Sequence, residues 1–270
     1  MKKITALVPT GHGINCEMET RYALESVGFD RVDLAHLNFL GTGDVDPTSY
    51  NLIVFPGGFL DGDDLGAGQA CANRIRHTRI NSERLIDRLM RFIEQGGLML
   101  GICNGFQLLT KLGMLPALDG DYGRRDVTLM GNDSGRFEDR WVWLTVDKEA
   151  PCVFTRGIDR LYLPIRHGEG KIVGRSADLT SNLVKFHQAP VRYSLPDRSE
   201  PTMEYPFNPN GAEQAIAGIC DTTGRVFGLM PHPECFHHRT NHPRWTRENL
   251  PDEGAGLAVF KNAAAYLREA

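Results

Sequence analysis

Cys103 stands between Gly101 and Gly105, after the apolar run 98–102 and before a helical pattern. A G-x-C-x-G at a strand-to-helix junction is the thiol form of the nucleophile elbow, where a tight turn presents the reactive side chain above a sheet. The attacking species is the thiolate, so the site must lower the thiol's pKa or remove its proton. The amino end of a helix beginning at Asn104 brings a positive dipole to Cys103. Far along the chain, Pro231-His232-Pro233-Glu234 supplies an imidazole and, two residues on, a carboxylate. Alternate side chains of an extended segment share a side. Glu234 is therefore placed to orient His232, and His232 to act first as base and then as acid. Cys103, His232 and Glu234 read as the nucleophile, base and orienting carboxylate of an acyl-transfer enzyme.

A tetrahedral intermediate needs preorganised N–H donors for its oxyanion. Pro56-Gly57-Gly58-Phe59 follows an apolar strand, and glycine lets its amide approach a ligand closely. Gly58 is expected to give one donor, with Gly57 as the substitute, and Asn104, the residue after the nucleophile, to give the other. These turns must be positioned by strands. Segments 4–9, 31–36, 52–55 and 98–102 read as strands, alternating with helices over 17–27, from Asn81 or Ser82 to Gln95, and over 104–112. Such alternation predicts an α/β fold, a central, mostly parallel sheet with helices on both faces and its chemistry at the carboxyl ends of the strands. The second half is richer in β-structure: 141–146, 161–165, 216–221 and 226–230 read as strands, with Thr222-Thr223-Gly224-Arg225 closing a hairpin. A helix over 256–269 closes the chain, and 174–211, rich in Pro, Ser and Asn, carries no clear pattern. No linker or repeat breaks the sequence, so residues 1–270 are expected to form a single domain.

Composition is that of an ordinary globular chain: 41% hydrophobic and 24% charged, with a formal net charge of −4. That balance gives no support for a nucleic-acid or membrane surface. No apolar stretch reaches transmembrane length, and the first residues run straight into a strand rather than a secretory signal, so a cytoplasmic location is expected. The six cysteines lack paired spacing and read as reduced thiols, five of them as small buried hydrophobes. Cys16, beside Glu17, reads as a cysteine at a helix start rather than a second reactive thiol. His232, His237, His238, His242 and Cys235 crowd into a short stretch, but their spacing is irregular and no metal site is expected. Trp141 and Trp143 share a strand face and read as packing residues. Arg74, Arg76 and Arg79 suit either a solvated loop or an acidic partner surface.

Several segments together resemble one family. Gly101-Ile-Cys-Asn-Gly-Phe-Gln107, Pro56-Gly-Gly-Phe59 with Gly62-Asp-Asp-Leu65, His167-Gly-Glu-Gly170, Asn208-Pro-Asn-Gly211 and Gly228-Leu-Met-Pro-His-Pro-Glu234 are similar to the class I glutamine amidotransferase domain of phosphoribosylformylglycinamidine synthases. Gly13-Ile-Asn-Cys16 is similar to that family's opening segment, so the matches run from residue 13 to residue 234. The resemblance implies a flavodoxin-like class I amidotransferase fold and a glutaminase. Cys103 would attack the glutamine side-chain amide, ammonia would leave, and water would release glutamate from the thioester. Gln107, Gly57 and Phe59 fall at substrate-contacting positions. Ammonia would pass to a separate PurL-like synthetase subunit, with room for a small PurS-like third subunit. The synthetase would use ATP and Mg to convert formylglycinamide ribonucleotide to its amidine. This chain carries no phosphate-binding G-x-x-x-x-G-K-[ST], so no cofactor is expected in it. The elbow by itself also suits a glutaminase domain serving another synthetase, or a cysteine hydrolase of the flavodoxin-like peptidase and stress-protein families. Two departures stand out: Cys235 follows the triad glutamate where the family often has arginine, and residues 71–81 look like extra basic sequence.

Overall fold

The computed structural model describes residues 2–269; Met1 and Ala270, the two ends of the expected domain, lie outside them. The first half alternates as its periodicity predicts: β1 (Thr5–Thr10), α1 (Glu17–Ser26), β2 (Arg31–His36), α2 (Leu37–Thr42), β3 (Leu52–Phe55), α3 (Gln69–His77), a small hairpin of β4 (Arg79–Ile80) and β5 (Glu83–Arg84), α4 (Leu85–Glu94), β6 (Leu98–Ile102) and α5 (Asn104–Leu112). The second half is mostly strand: β7 (Val127–Met130), β8 (Glu138–Val146), β9 (Arg160–His167), β10 (Lys171–Gly174), α6 (Leu179–Lys185), β11 (Val191–Ser194), β12 (Ile216–Cys220), β13 (Val226–Leu229), and then α7 (Leu257–Glu269).

Among the described residues nine strands form one sheet in the order β2-β1-β3-β6-β13-β12-β11-β8-β9. Its first five strands pair in parallel. The remaining pairings are antiparallel. This is the expected α/β architecture, a parallel half extended by β-structure from the second half of the chain. Every residue of β3, β6 and β13 is buried, which is why these strands read as continuous apolar runs rather than alternating ones. Helix α5 packs on β3, β6 and β13. A Cβ at Gly105 would lie 1.9 Å from the Phe55 carbonyl oxygen, so only glycine lets α5 lie this close to β3.

Three readings need correction. Residues 71–81 are not a solvated loop: 71–77 belong to α3, with Cys71, Ala72 and Ile75 buried against α4 and α5. Helix α4 begins at Leu85, later than Asn81 or Ser82, because 79–84 close a hairpin with Asn81 at φ 57° and Ile80 buried. The unpatterned stretch 174–211 contains α6 and β11. Strand β11 has four residues and takes its partners from β8 and β12, both distant in sequence, so nothing local announces it. Trp141 and Trp143 do pack: Trp143 stacks on Tyr162 at 4.7 Å, and Trp141 meets Phe236 and His242 edge-on.

Candidate active site

The parallel strands deliver the predicted residues to one edge of the sheet. Strands β6 and β13 are neighbours in register, with Ile102 opposite Leu229, so the turns that follow them leave side by side. The Cys103 amide is bonded to the Leu229 carbonyl at 2.8 Å. Cys103 itself sits at φ 51°, ψ −104°, a strained conformation for a side-chain-bearing residue and the kind found at sites the surrounding fold holds in place. Its thiol donates to the Arg166 carbonyl at 3.5 Å. The His232 amide donates to the Pro164 carbonyl of β9 at 2.8 Å, so the antiparallel end of the sheet closes over the His232 turn.

His232 and Glu234 are buried, and Nδ1 of the imidazole lies 2.6 Å from Glu234 Oε1. Nε2 makes no hydrogen bond among the described residues and is left for another partner. Burial alone would lower the His232 pKa, but the Glu234 carboxylate and the adjacent Cys103 raise it well above the usual histidine value. The imidazole is therefore poised as a cation beside a cysteine. His167 lies close by and behaves oppositely: burial and the nearby His232 push it down to about 3, so it stays neutral.

Asn15, Cys16, Gly58, Phe59, Asp63, Cys103, Gln107, Phe137, Arg166, His167, Gly168, Glu169 and His232 line one cavity of about 300 Å³. That is the lower end of the size range of small-molecule sites. Arg166 gives this cavity a positive group, while Asp63 and Glu169 give it carboxylates. Burial, Glu169 and Asp64 together raise the Asp63 pKa. A free α-amino acid carries both complementary charges.

Of the two expected oxyanion donors, Gly58 lines this cavity and Asn104 follows Cys103 at the start of α5. Ile14 and Gly58 form an antiparallel bridge whose bonds run from Asn15 N–H to the Gly57 carbonyl and from Phe59 N–H to the Gly13 carbonyl. In that pattern the Gly58 N–H points away from Ile14 and is not consumed by the bridge. The Asn104 N–H opens α5 and has no partner within the helix. Gly57 has a different part: a Cβ there would stand 2.6 Å from Cε1 of His232. Its lack of a side chain gives the imidazole its place. Gln107 lines the cavity, yet both ends of its amide are engaged. Nε2 donates to the Glu169 carbonyl at 2.6 Å, and Oε1 accepts from Asn104 at 3.0 Å. Asn104 in turn accepts from the Leu60 N–H at 3.0 Å. The amide of Gln107 thus ties the elbow helix to the loops on either side. Phe59 forms part of the wall with its ring partly exposed.

Residue-by-residue chemistry missed Asp63, His167 and Glu169, whose signal lay in the Gly62–Leu65 and His167–Gly170 matches, and Arg166, which falls just outside them. Cys16 is the buried helix-start cysteine expected, at the N-cap position of α1, and it also lines the cavity, with Sγ 3.9 Å from His232 Nδ1. Donor atoms of Cys16, His232, Glu234 and Cys235 all lie within 4.8 Å of one another. Two of these donors are already engaged: Nδ1 holds Glu234, and the Arg166 guanidinium donates to Cys235 Sγ at 2.6 Å. A cation would have to displace that guanidinium. The other histidines of the stretch pack elsewhere: His237 against Tyr22, His242 against Trp141, while His238 caps the turn Arg239–Asn241. All three arginines have partners within the chain, Arg79 donating to the Ser82 carbonyl at 3.0 Å. Arg76 donates to the Leu112 carbonyl at 2.7 Å, closing the end of α5, and Arg74 pairs with Asp61 at 3.2 Å.

A family model for the CobB/CobQ-like glutamine amidotransferase domain matches residues 3–267. The chain is 45% identical over 271 residues, with both chains covered in full, to the Dehalococcoides mccartyi protein named phosphoribosylformylglycinamidine synthase subunit PurQ. It is 41% identical over 273 residues, 97% of each chain, to a protein of the same name from Methanococcus maripaludis. In the solved structure of PurLQS from Thermotoga maritima, one chain superposes with a TM-score of 0.70 at 29% identity, covering 98% of this chain and 100% of that one. No helix among the described residues is long and apolar enough to cross a membrane.

Proposed function

The chain belongs to the CobB/CobQ-like glutamine amidotransferase family, and we propose that it is the glutaminase subunit of phosphoribosylformylglycinamidine synthase, with Cys103, His232 and Glu234 as its triad. The observation that carries this reading is one cavity that joins Cys103, His232, Gly58 and Gln107 to groups of both charge signs. Glutamine binds with its ammonium toward Asp63 and Glu169 and its carboxamide at Cys103. The Cys103 proton passes to His232, and the thiolate attacks the amide carbon. The Gly58 and Asn104 amides receive the oxyanion. The His232 imidazolium gives its proton to the leaving nitrogen, and ammonia departs. Neutral imidazole then activates a water that opens the thioester to glutamate. Glu234 keeps Nδ1 protonated, so Nε2 is the atom that exchanges protons.

The chain acts with a PurL-like synthetase subunit and a small PurS-like subunit, in line with the three-part name of the Thermotoga complex. ATP and Mg are used on the synthetase, ammonia passes between subunits, and the assembly works in the cytoplasm. Reconstitution tests this. Cys103→Ala should abolish synthesis from glutamine while the complex still uses supplied ammonia, and a glutamine-mimicking electrophile should label Cys103 in the parent. Equal loss with both nitrogen donors would refute a pure glutaminase role. Capture of a different synthetase from native extract would reassign the acceptor.

A further inference from the structure

Cys16 and Cys235 are separated by almost the whole chain, yet they meet beside the triad with their sulfurs within 4.8 Å. Neither is used in the reaction derived above. Cys16 occupies the N-cap position of α1, and Cys235 ends the short turn Pro233–Cys235, which packs on α1. The pair is also the most accessible thiol pair in the structure. Cys16 faces the cavity and Cys235 is half-buried, whereas Cys152 and Cys220, which also adjoin, are sealed in the core. We infer that Cys16 and Cys235 form a reversible oxidation site, whose disulfide switches the glutaminase off.

The chemistry balances with a hydroperoxide as the two-electron oxidant. A small peroxide entering the cavity reaches Cys16. The sulfur attacks one peroxide oxygen and the O–O bond breaks; the thiol's proton leaves with the departing oxygen as water or alcohol, and Cys16 becomes a sulfenic acid. Cys235 sulfur then attacks Cys16 sulfur, the S–O bond breaks, and its proton leaves with the hydroxide as a second water. Contact with Cys16 and burial push the Cys235 thiol up, so it rests protonated. The Arg166 guanidinium, 2.6 Å from Cys235 Sγ, stabilises the charge that develops as that thiol reacts. A disulfide needs its sulfurs about 2.05 Å apart, so the two must close from a separation that is within 4.8 Å.

The consequence for activity rests on the role given above to His232 and Glu234. Cys235 is the residue next to Glu234, and Cys16 Sγ is 3.9 Å from Nδ1. Drawing the two sulfurs together releases Arg166 and shifts the carboxylate that orients the imidazole. A displacement of about 1 Å at such a group costs on the order of a hundredfold in rate.

The test uses the full chain reconstituted with its synthetase, hydrogen peroxide as oxidant, and peptide mapping by mass. The expected result is a peptide linking Cys16 to Cys235, a fall in glutaminase activity of about a hundredfold, and recovery on adding dithiothreitol. Cys235→Ser should keep most of its own reduced activity at the same peroxide dose. Cys103→Ser should form the same linkage as the parent, so the mapping stands even if the glutaminase reading fails. Oxidation confined to Cys103, a linkage only between Cys152 and Cys220, or equal inactivation of Cys235→Ser would overturn the inference. Should a variant fail to fold, the map of the unaltered chain decides by itself.

Discussion

Glu234→Gln isolates the one strong polar contact the imidazole makes. The substitution keeps the size of the side chain and removes its charge from a pair at 2.6 Å with both partners buried. A hydrogen bond to a charged group is worth about 1.5–3 kcal/mol. Losing it should lower kcat/KM for glutamine by about ten- to a hundredfold. The same energy corresponds to a fall of roughly 1–2 units in the imidazole pKa. In the parent, His232 holds its proton well above the ordinary value of 6.5. The alkaline limb of kcat/KM, where the leaving nitrogen loses its acid, should therefore move to lower pH in the variant. His167 cannot account for that limb, because it is neutral down to about 3. Stability follows the same sign. A raised folded-state pKa contributes fully below the unfolded value and is lost as pH rises through the folded one. The parent should lose stability over that alkaline range and the variant should not. The assay is glutamate release by the assembled complex across pH, with ammonia-dependent synthesis as control. A variant that keeps both its alkaline limb and its kcat/KM would refute the coupling of Glu234 to His232.

His232→Ala should cost more than Glu234→Ala in the same assay, since the imidazole moves protons and the carboxylate only orients it; the reverse order would undo that assignment of roles. Gly57→Ala places a methyl 2.6 Å from Cε1 of His232. It should cut glutamine-dependent turnover by about a hundredfold while leaving ammonia-dependent synthesis intact. Arg76→Ala removes the group that closes the end of α5 and should cost about 1–2 kcal/mol, read as a melting-temperature drop of about 2–8 °C. Arg79→Ala, on the exposed hairpin, should stay within about 0.5 kcal/mol, and thermal denaturation distinguishes the two.

What the sequence determined by itself was chemical type and local form. Glycines around Cys103 and the apolar run before it announced a strand, an elbow and a helix, since those demands are met by residues a few positions apart. The same holds for His232 and Glu234, whose two-residue spacing already put carboxylate and imidazole on one side. The tertiary structure decided what lies across the cavity. Arg166 and Glu169 come from the end of β9 and Asp63 from the loop after β3, and no local pattern says that these ends meet Cys103. Gln107 was legible as a residue of the site, but its amide is engaged by Asn104 and Glu169, a contact that exists only once the loops have closed. The basic stretch 71–81 shows the same limit. Its charges suggested a loop, but burial of Cys71, Ala72 and Ile75 against α4 and α5 made 71–77 a helix, and 79–81 enter a hairpin. Cys16 and Cys235 mark the extreme case: Cys16 looked ordinary in its own segment, Cys235 stood out only as a departure from the family, and the packing of α1 on the Pro233–Cys235 turn set them side by side.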